Sequence, residues 1–249
     1  MTLAWSAIGE SVTGTAHRSR GTPCQDAFRY LHFGPDGDWF AVAVADGAGS
    51  ATHADAGATV ACDELVRRVG LVPPDTLMTP EGITALFTDV RGTLLAEAGR
   101  LGVPIREVAC TAILVILGPA STVCAQIGDG AIVLGAAGGY RVAYWPEPAE
   151  YANVTDFLTD AHFTDTLRVQ VIGGPVNEVA ACTDGLQRLA LDFAAKIPHA
   201  AFFEPLFDAL RTATDSESLV EPFRDFLDSP RVNARTDDDK TLVVAVRRP

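Results

Sequence analysis

Residues 39–50 read WFAVAVADGAGS: seven apolar residues run straight into Asp46 and a glycine-rich turn. A short, continuous apolar run broken by Asp-Gly reads as a strand buried on both faces, not as a helix. What matters is its end. The strand finishes on a carboxylate, and the glycine after it lets the backbone approach whatever the carboxylate holds.

The same pattern recurs along the chain. Asp129 closes TVCAQIG and is followed by Gly130, and Asp184 closes VAACT and is followed by Gly185. Asp237, Asp238 and Asp239 stand directly before the apolar run TLVVAV. Each has an ordinary structural reading. Asp129-Gly130 suits a tight hairpin turn, Asp46 and Asp184 suit helix caps, and the triple acid suits a solvated edge. Taken together, four strand ends carrying acids suggest one locus where cations offset the repulsion. An all-oxygen donor set without His or Cys selects hard ions, Mg²⁺ or Mn²⁺ over Zn²⁺.

Strand-like runs occupy Ala4–Glu10, Trp39–Ala45, Thr111–Leu117, Thr122–Ile127, Ala131–Leu134, Tyr140–Trp145, Val179–Thr183 and Thr241–Val246. Helical spacing covers Ala54–Val69, about Pro80 to Gly99, Leu186–Lys196, Phe202–Ala213 and Ser218–Leu227. Strands cluster in the middle and helices in blocks, which gives an α+β class with sheets covered by helices. Without repeats or a Pro/Gly-rich linker, residues 1–249 form a single domain. Residues 146–175 read as a long excursion, and loops of that length tend to be functional. The aromatics in it and just before it, Tyr144, Trp145, Tyr151, Phe157 and Phe163, are expected mostly to pack rather than to line a ligand surface.

Composition narrows the function. The 249 residues carry 19 basic and 32 acidic side chains, a formal net charge of −13, with only two lysines, Lys196 and Lys240. Nucleic acid and anionic membrane are excluded as partners, because both need clustered positive charge. The N-terminal stretch lacks the charged and apolar regions of an export signal, and no run approaches a membrane span, so a cytoplasmic protein is expected. Five scattered cysteines without a C-x-x-C pair suit buried, reduced thiols. Neither a phosphate-binding G-x-x-x-x-G-K-[ST] loop nor a G-x-S-x-G nucleophile turn occurs.

In order along the chain stand Gln25-Asp26, Asp46-Gly47-Ala48-Gly49-Ser50, Cys110-Thr111-Ala112, Gly128-Asp129-Gly130, Thr183-Asp184-Gly185-Leu186 and Asp238-Asp239-Lys240-Thr241. This ordered set resembles the PPM-type, or type 2C, metal-dependent protein phosphatases. The resemblance implies a four-layer α/β/β/α sandwich of two antiparallel sheets with a two-metal centre at one end. It also implies that Asp46 bridges two Mn²⁺ or Mg²⁺ ions, that the Gly47 carbonyl, Asp184, Asp238 and water complete them, and that Asp26 stands close by. The implied reaction is in-line attack of water on phosphoserine or phosphothreonine without a phosphoenzyme. A phosphoprotein substrate, a cognate kinase or stress-response partner and a role in signal transduction go with it.

The chain departs from that pattern in places. The phosphate-binding arginine falls to Arg20, with Arg18 as the alternative, in the loop HRSRGTPCQD. Asp129 is retained for a third ion, but Arg188 stands four residues after Asp184, where relatives carry an acid. Either a third site is weak or absent, or Asp129 pairs with Arg188. Ala48 replaces a histidine that some relatives carry, leaving His17 and His53 as the nearest imidazoles and no assigned general acid. Two rival functions remain at this stage: a PPM-like binding module without catalysis, and a metallohydrolase for small phosphate esters.

Overall fold

Strand parity sets the layers. In the strand Trp39–Asp46, Phe40, Val42 and Val44 face one core while Ala41, Ala43 and Ala45 face another. Successive side chains of a strand point to opposite faces, so a strand covered on both sides must be apolar throughout. That is why the run shows no polar alternation.

The protein is described from a computed structural model over residues 5–136, 138–146 and 155–248. In chain order the elements are β1 (Trp5–Val12), α1 (Thr15–Arg20), β2 (Asp26–Phe33), β3 (Trp39–Asp46), α2 (Ala54–Val69), α3 (Pro74–Leu77) and α4 (Pro80–Leu101). Then come β4 (Ala112–Leu117), β5 (Ser121–Ile127), β6 (Ala131–Ala136), β7 (Gly139–Val142), α5 (Phe163–Thr166), β8 (Arg168–Gly173) and β9 (Glu178–Cys182). The chain closes with α6 (Gln187–Ala190), β10 (Leu191–Asp192), β11 (Ile197–Pro198), α7 (Ala200–Thr212), α8 (Val220–Leu227), α9 (Pro230–Asn233) and β12 (Lys240–Arg247).

One sheet runs β1-β12-β9-β6-β7 and the other β2-β3-β4-β5-β8, with every neighbouring pair antiparallel. Between the sheets lie Trp5, Phe40, Val115, Ile132, Ala181 and Val243 among others. Outside the second sheet α2 and α4 cover Ala43, Leu114 and Val123. Outside the first, α7 and α8 bring Phe203, Phe207 and Phe223 onto Val133, Ala180 and Val244. The result is the four-layer sandwich expected. Small residues dominate the α2 contact, and Gly57 lies so near Val108 that a Cβ would sit 2.2 Å from its carbonyl oxygen.

Several local expectations change. Asp26–Phe33, absent from the expected strands, is strand β2; its half-exposed DAFRYLHF pattern hid it among polar residues. Residues 168–173 of the 146–175 excursion form the edge strand β8 on β5. The helix expected over Leu186–Lys196 amounts to α6 alone, because Leu191–Asp192 pairs back onto Ile197–Pro198. Gly128-Asp129-Gly130 is not a hairpin turn: β5 and β6 belong to different sheets, and Gly128 takes a φ of +93° to make the crossing. Tyr144, Trp145, Phe157 and Phe163 pack against the body of the protein as expected. Tyr151, and Ala4 at the start of the first expected strand, lie outside the described residues.

Candidate metal centre

Antiparallel pairing brings distant sequence positions to one end of the sandwich. Asp26, at the start of β2, is paired with Asp46, at the end of β3. Cys182, at the end of β9, faces both Ala131 at the start of β6 and Leu242 near the start of β12. Asp184, Asp129 and Asp238 therefore emerge at the same end as Asp26 and Asp46. The helix α2 begins at Ala54, with His53 in the capping position, so Asp46 caps nothing.

Local bonds fix this end. Asp46 exchanges contacts with Thr111: its amide donates to the threonine hydroxyl at 2.9 Å, and its carbonyl accepts from the Thr111 amide at 2.8 Å. The Gly47 amide donates to the Gln25 carbonyl at 3.0 Å, and a Cβ on Gly47 would meet the Ala54 carbonyl oxygen at 2.6 Å, so the tight turn requires glycine. The Thr183 hydroxyl donates to Asp26 at 2.8 Å and accepts from the Thr241 amide at 3.1 Å, tying the two sheets together. Asp129 accepts from the Thr155 hydroxyl at 3.0 Å, while its carbonyl accepts from the Gln187 side chain.

The acids repel one another. Burial pushes the Asp26 carboxyl up, opposed by the Thr183 and Thr241 hydroxyls and reinforced by the charges of Asp239 and Asp184. Burial likewise drives Asp46 well above the ordinary carboxylate range, with Asp26 and Asp184 adding to it. Asp184 is raised by burial, then by Asp129 and Asp238, and lies within hydrogen-bonding reach of Asp46. No lysine or arginine pairs with Asp26, Asp46, Asp184 or Asp238 among the described residues.

Carboxylates crowded this way without a cationic partner fit a divalent cation, whose charge reverses the local preference for protonation. The donors are all oxygen, which suits Mg²⁺ or Mn²⁺. Among the described residues no three His, Cys, Asp or Glu side chains form a preformed cage. The acids instead stand as neighbours around the end of the sandwich.

The family model for protein phosphatase 2C matches residues 13–224. Serine/threonine-protein phosphatase 3 of Escherichia coli (strain K12) is 37% identical over 255 residues, spanning 98% of this chain and 99% of that protein. The chain belongs to the protein phosphatase 2C family. Solved structures agree in fold. The serine/threonine phosphatase Stp1 from Staphylococcus aureus superposes with a TM-score of 0.68 at 16% identity, covering 100% of this chain and 98% of the other. The catalytic domain of the serine threonine protein phosphatase PstP, in complex with 2 manganese ions, gives 0.65 at 15% identity with 100% of both chains covered.

In this protein phosphatase 2C homologue the two candidate phosphate-binding arginines part company. Both lie on α1, an element the sequence reading took as loop. Arg18 is held in a two-pronged pair with Asp228 at 2.8 and 2.5 Å, which keeps that carboxyl at about 2. The Arg20 guanidinium is exposed and meets no partner among the described residues. Arg188 is exposed and forms no ion pair with Asp129 among the described residues. Gln25 contributes its backbone to this end, while its side-chain Oε1 is buried without a partner.

One residue of this end was missed. Asp239, read as part of a charge run, is 3% exposed. It accepts from the Gly14 amide at 2.6 Å, the Gln25 amide at 2.6 Å and His17 Nδ1 at 2.9 Å. Nothing in an Asp-Asp-Asp string tells which carboxylate turns inward.

Proposed function

We propose that this phosphatase homologue hydrolyses phosphoserine and phosphothreonine in proteins, with Mn²⁺ or Mg²⁺ held by Asp46, the Gly47 carbonyl, Asp184 and Asp238, with Asp26 close behind. Two ions are proposed. Asp129 remains the candidate for a weaker third, since Arg188 does not neutralise it. The observation that carries the reading is the convergence of these acids from both sheets, with no arginine or lysine paired to Asp26, Asp46, Asp184 or Asp238 among the described residues, in a chain that matches a serine/threonine-protein phosphatase over nearly all its length.

Bound divalent ions supply a more acidic water and offset charge on the phosphoryl oxygens. The chain's own residues do the rest. Thr111 fixes the backbone of Asp46 through two hydrogen bonds, and the Gly185 amide donates to Asp184. The Thr183 hydroxyl donates to Asp26 and fixes its orientation. Arg20 offers a forked guanidinium to phosphate oxygens, the geometry that suits phosphate best.

Residues 1–249 act as one domain in this reading; of the flap expected over 146–175, residues 147–154 lie outside the described residues and residues 168–173 belong to β8, which leaves residues 155–167 as its candidate. No helix of the described residues is long and apolar enough to cross a membrane. We place the protein in the cytoplasm, in a signalling pathway with a protein kinase or a stress-response partner. Five unpaired thiols support a reducing compartment.

The test is phosphate release from a phosphothreonine peptide and from p-nitrophenyl phosphate, with Mn²⁺, with Mg²⁺ and with excess EDTA. Metal-dependent turnover of the peptide, lost in EDTA and reduced at least about a hundredfold in Asp46→Asn, is expected. A small ester hydrolysed far better than any phosphopeptide would move the assignment to a small-ester metallohydrolase. Mn²⁺ binding without turnover of either would make the protein a binding module.

A further inference from the structure

The phosphate-binding arginine sits on a helix of only six residues, Thr15–Arg20, none of them buried. Such a helix gains little from its own hydrogen bonds, and its position must come from outside. Asp239 supplies it. Its two oxygens accept from the amide that leads into α1, from a side chain on α1 and from the amide just before Asp26. The backbone is pressed close as well: the Ala16 amide donates to the Asp237 carbonyl at 2.9 Å, and a Cβ on Gly14 would sit 2.3 Å from the Asp238 carbonyl carbon.

We infer that Asp239 is a latch that positions α1, and with it Arg20, over the acid cluster, with His17 as the catch on the helix side. The inference rests on the phosphatase reading and goes beyond it by assigning work to two residues that need touch neither metal nor phosphate. Arg18 adds a second tether, through Asp228, to the Asn233–Lys240 contact: Asn233 donates to the Asp228 carboxylate at 3.0 Å and accepts from Lys240 Nζ at 3.0 Å. Of the two arginines on α1, one is thus tied down and the other is left free at a fixed place.

Charged carboxylate acceptors make stronger bonds than neutral ones, so loss of one should be felt in substrate binding. His17 is the safer residue to change, because its side chain is 14% exposed whereas Asp239 is buried beneath three donors. In His17→Ala, KM for the phosphothreonine peptide and the inhibition constant of inorganic phosphate should both rise about three- to tenfold, with kcat within about twofold. His17→Asn, whose amide can stand in for Nδ1–H, should restore both constants to within about twofold of wild type. In metal-free protein, amide exchange over residues 14–25 should quicken in His17→Ala and not in His17→Asn. In an Arg20→Ala background, His17→Ala should add nothing to KM, since the placed group is gone.

Unchanged KM and phosphate inhibition in an active His17→Ala enzyme would overturn the latch while leaving the phosphatase reading intact. So would a fall in kcat alone, or failure of His17→Asn to rescue. An inert wild type would overturn the phosphatase reading itself, and the latch with it.

Discussion

Two arginines two residues apart on one short helix have opposite fates, and the difference lies in their partners. Arg18 is neutralised by Asp228, a surface pair worth little to stability because both groups remain wet. Arg20 has no such partner among the described residues, so its charge is available to a dianion. Arg20→Ala should raise KM for a phosphopeptide about tenfold with a smaller effect on kcat, as expected for loss of one charge-assisted contact. Arg18→Ala should shift KM by less than about threefold. Steady-state kinetics of the two variants side by side decide the assignment; a larger effect for Arg18 would reverse it. The sequence could narrow the choice to these two because both lie just before Gln25-Asp26, but it could not rank them, since Asp228 is more than 200 residues away.

Among the elements, α2 shows how tertiary contact overrules local preference. Gly57 is the fourth residue of a 16-residue helix, where alanine would ordinarily be favoured by up to about 1 kcal/mol. Here the would-be Cβ meets the Val108 backbone, which cannot rotate away. Overpacking of this kind costs about 1–3 kcal/mol, so Gly57→Ala should lower stability in urea unfolding despite its better helix propensity. The bounds of α2, Ala54–Val69, were legible from its apolar spacing and the Arg67-Arg68-Gly70 ending. Strand β2 was not, because an edge strand half in water mixes Arg29, Tyr30 and His32 into its run. The stretch after Asp184 misled in the other direction: its leucines and alanines carry helical spacing, yet Leu191 and Asp192 turn back to pair with Ile197 and Pro198.

For the molecule as a whole, burial first and mutual repulsion second raise the acids of the cluster, and a bound cation would relieve both. Asp26, Asp46 and Asp184 all titrate above their unfolded values, so the metal-free folded state binds more protons than the unfolded state once pH passes the ordinary carboxylate range near 4. Stability without metal is therefore greatest at low pH within the folded range and falls as pH rises toward neutrality. Thermal melts in EDTA from about pH 5 to 8 should show the decline, and saturating Mn²⁺ should abolish most of it. At 100 times its dissociation constant an ion adds about 2.7 kcal/mol. Asp46→Asn should melt at or above wild type in EDTA while losing the Mn²⁺ response. A metal-free melting point that rises steadily to pH 8 would contradict the repulsion. That the acids share one end was readable from Asp-Gly at successive strand ends; that Asp239 turns inward was not.

The place of β12 has a consequence for how the molecule is made. It is the last strand in the sequence, yet it lies between β1 and β9, inside its sheet. A growing chain can build the β2-β3-β4-β5-β8 sheet from neighbours in order, but β1 must wait more than 200 residues for its partner. Such long-range pairing is slow to form, because loop closure precedes the contacts that reward it. Asp238, Asp239 and the Thr183–Thr241 tie arrive only with that strand. A ribosome-bound chain short of β12 therefore has neither a closed sheet nor a finished site, and the enzyme stays silent until its synthesis has passed residue 247.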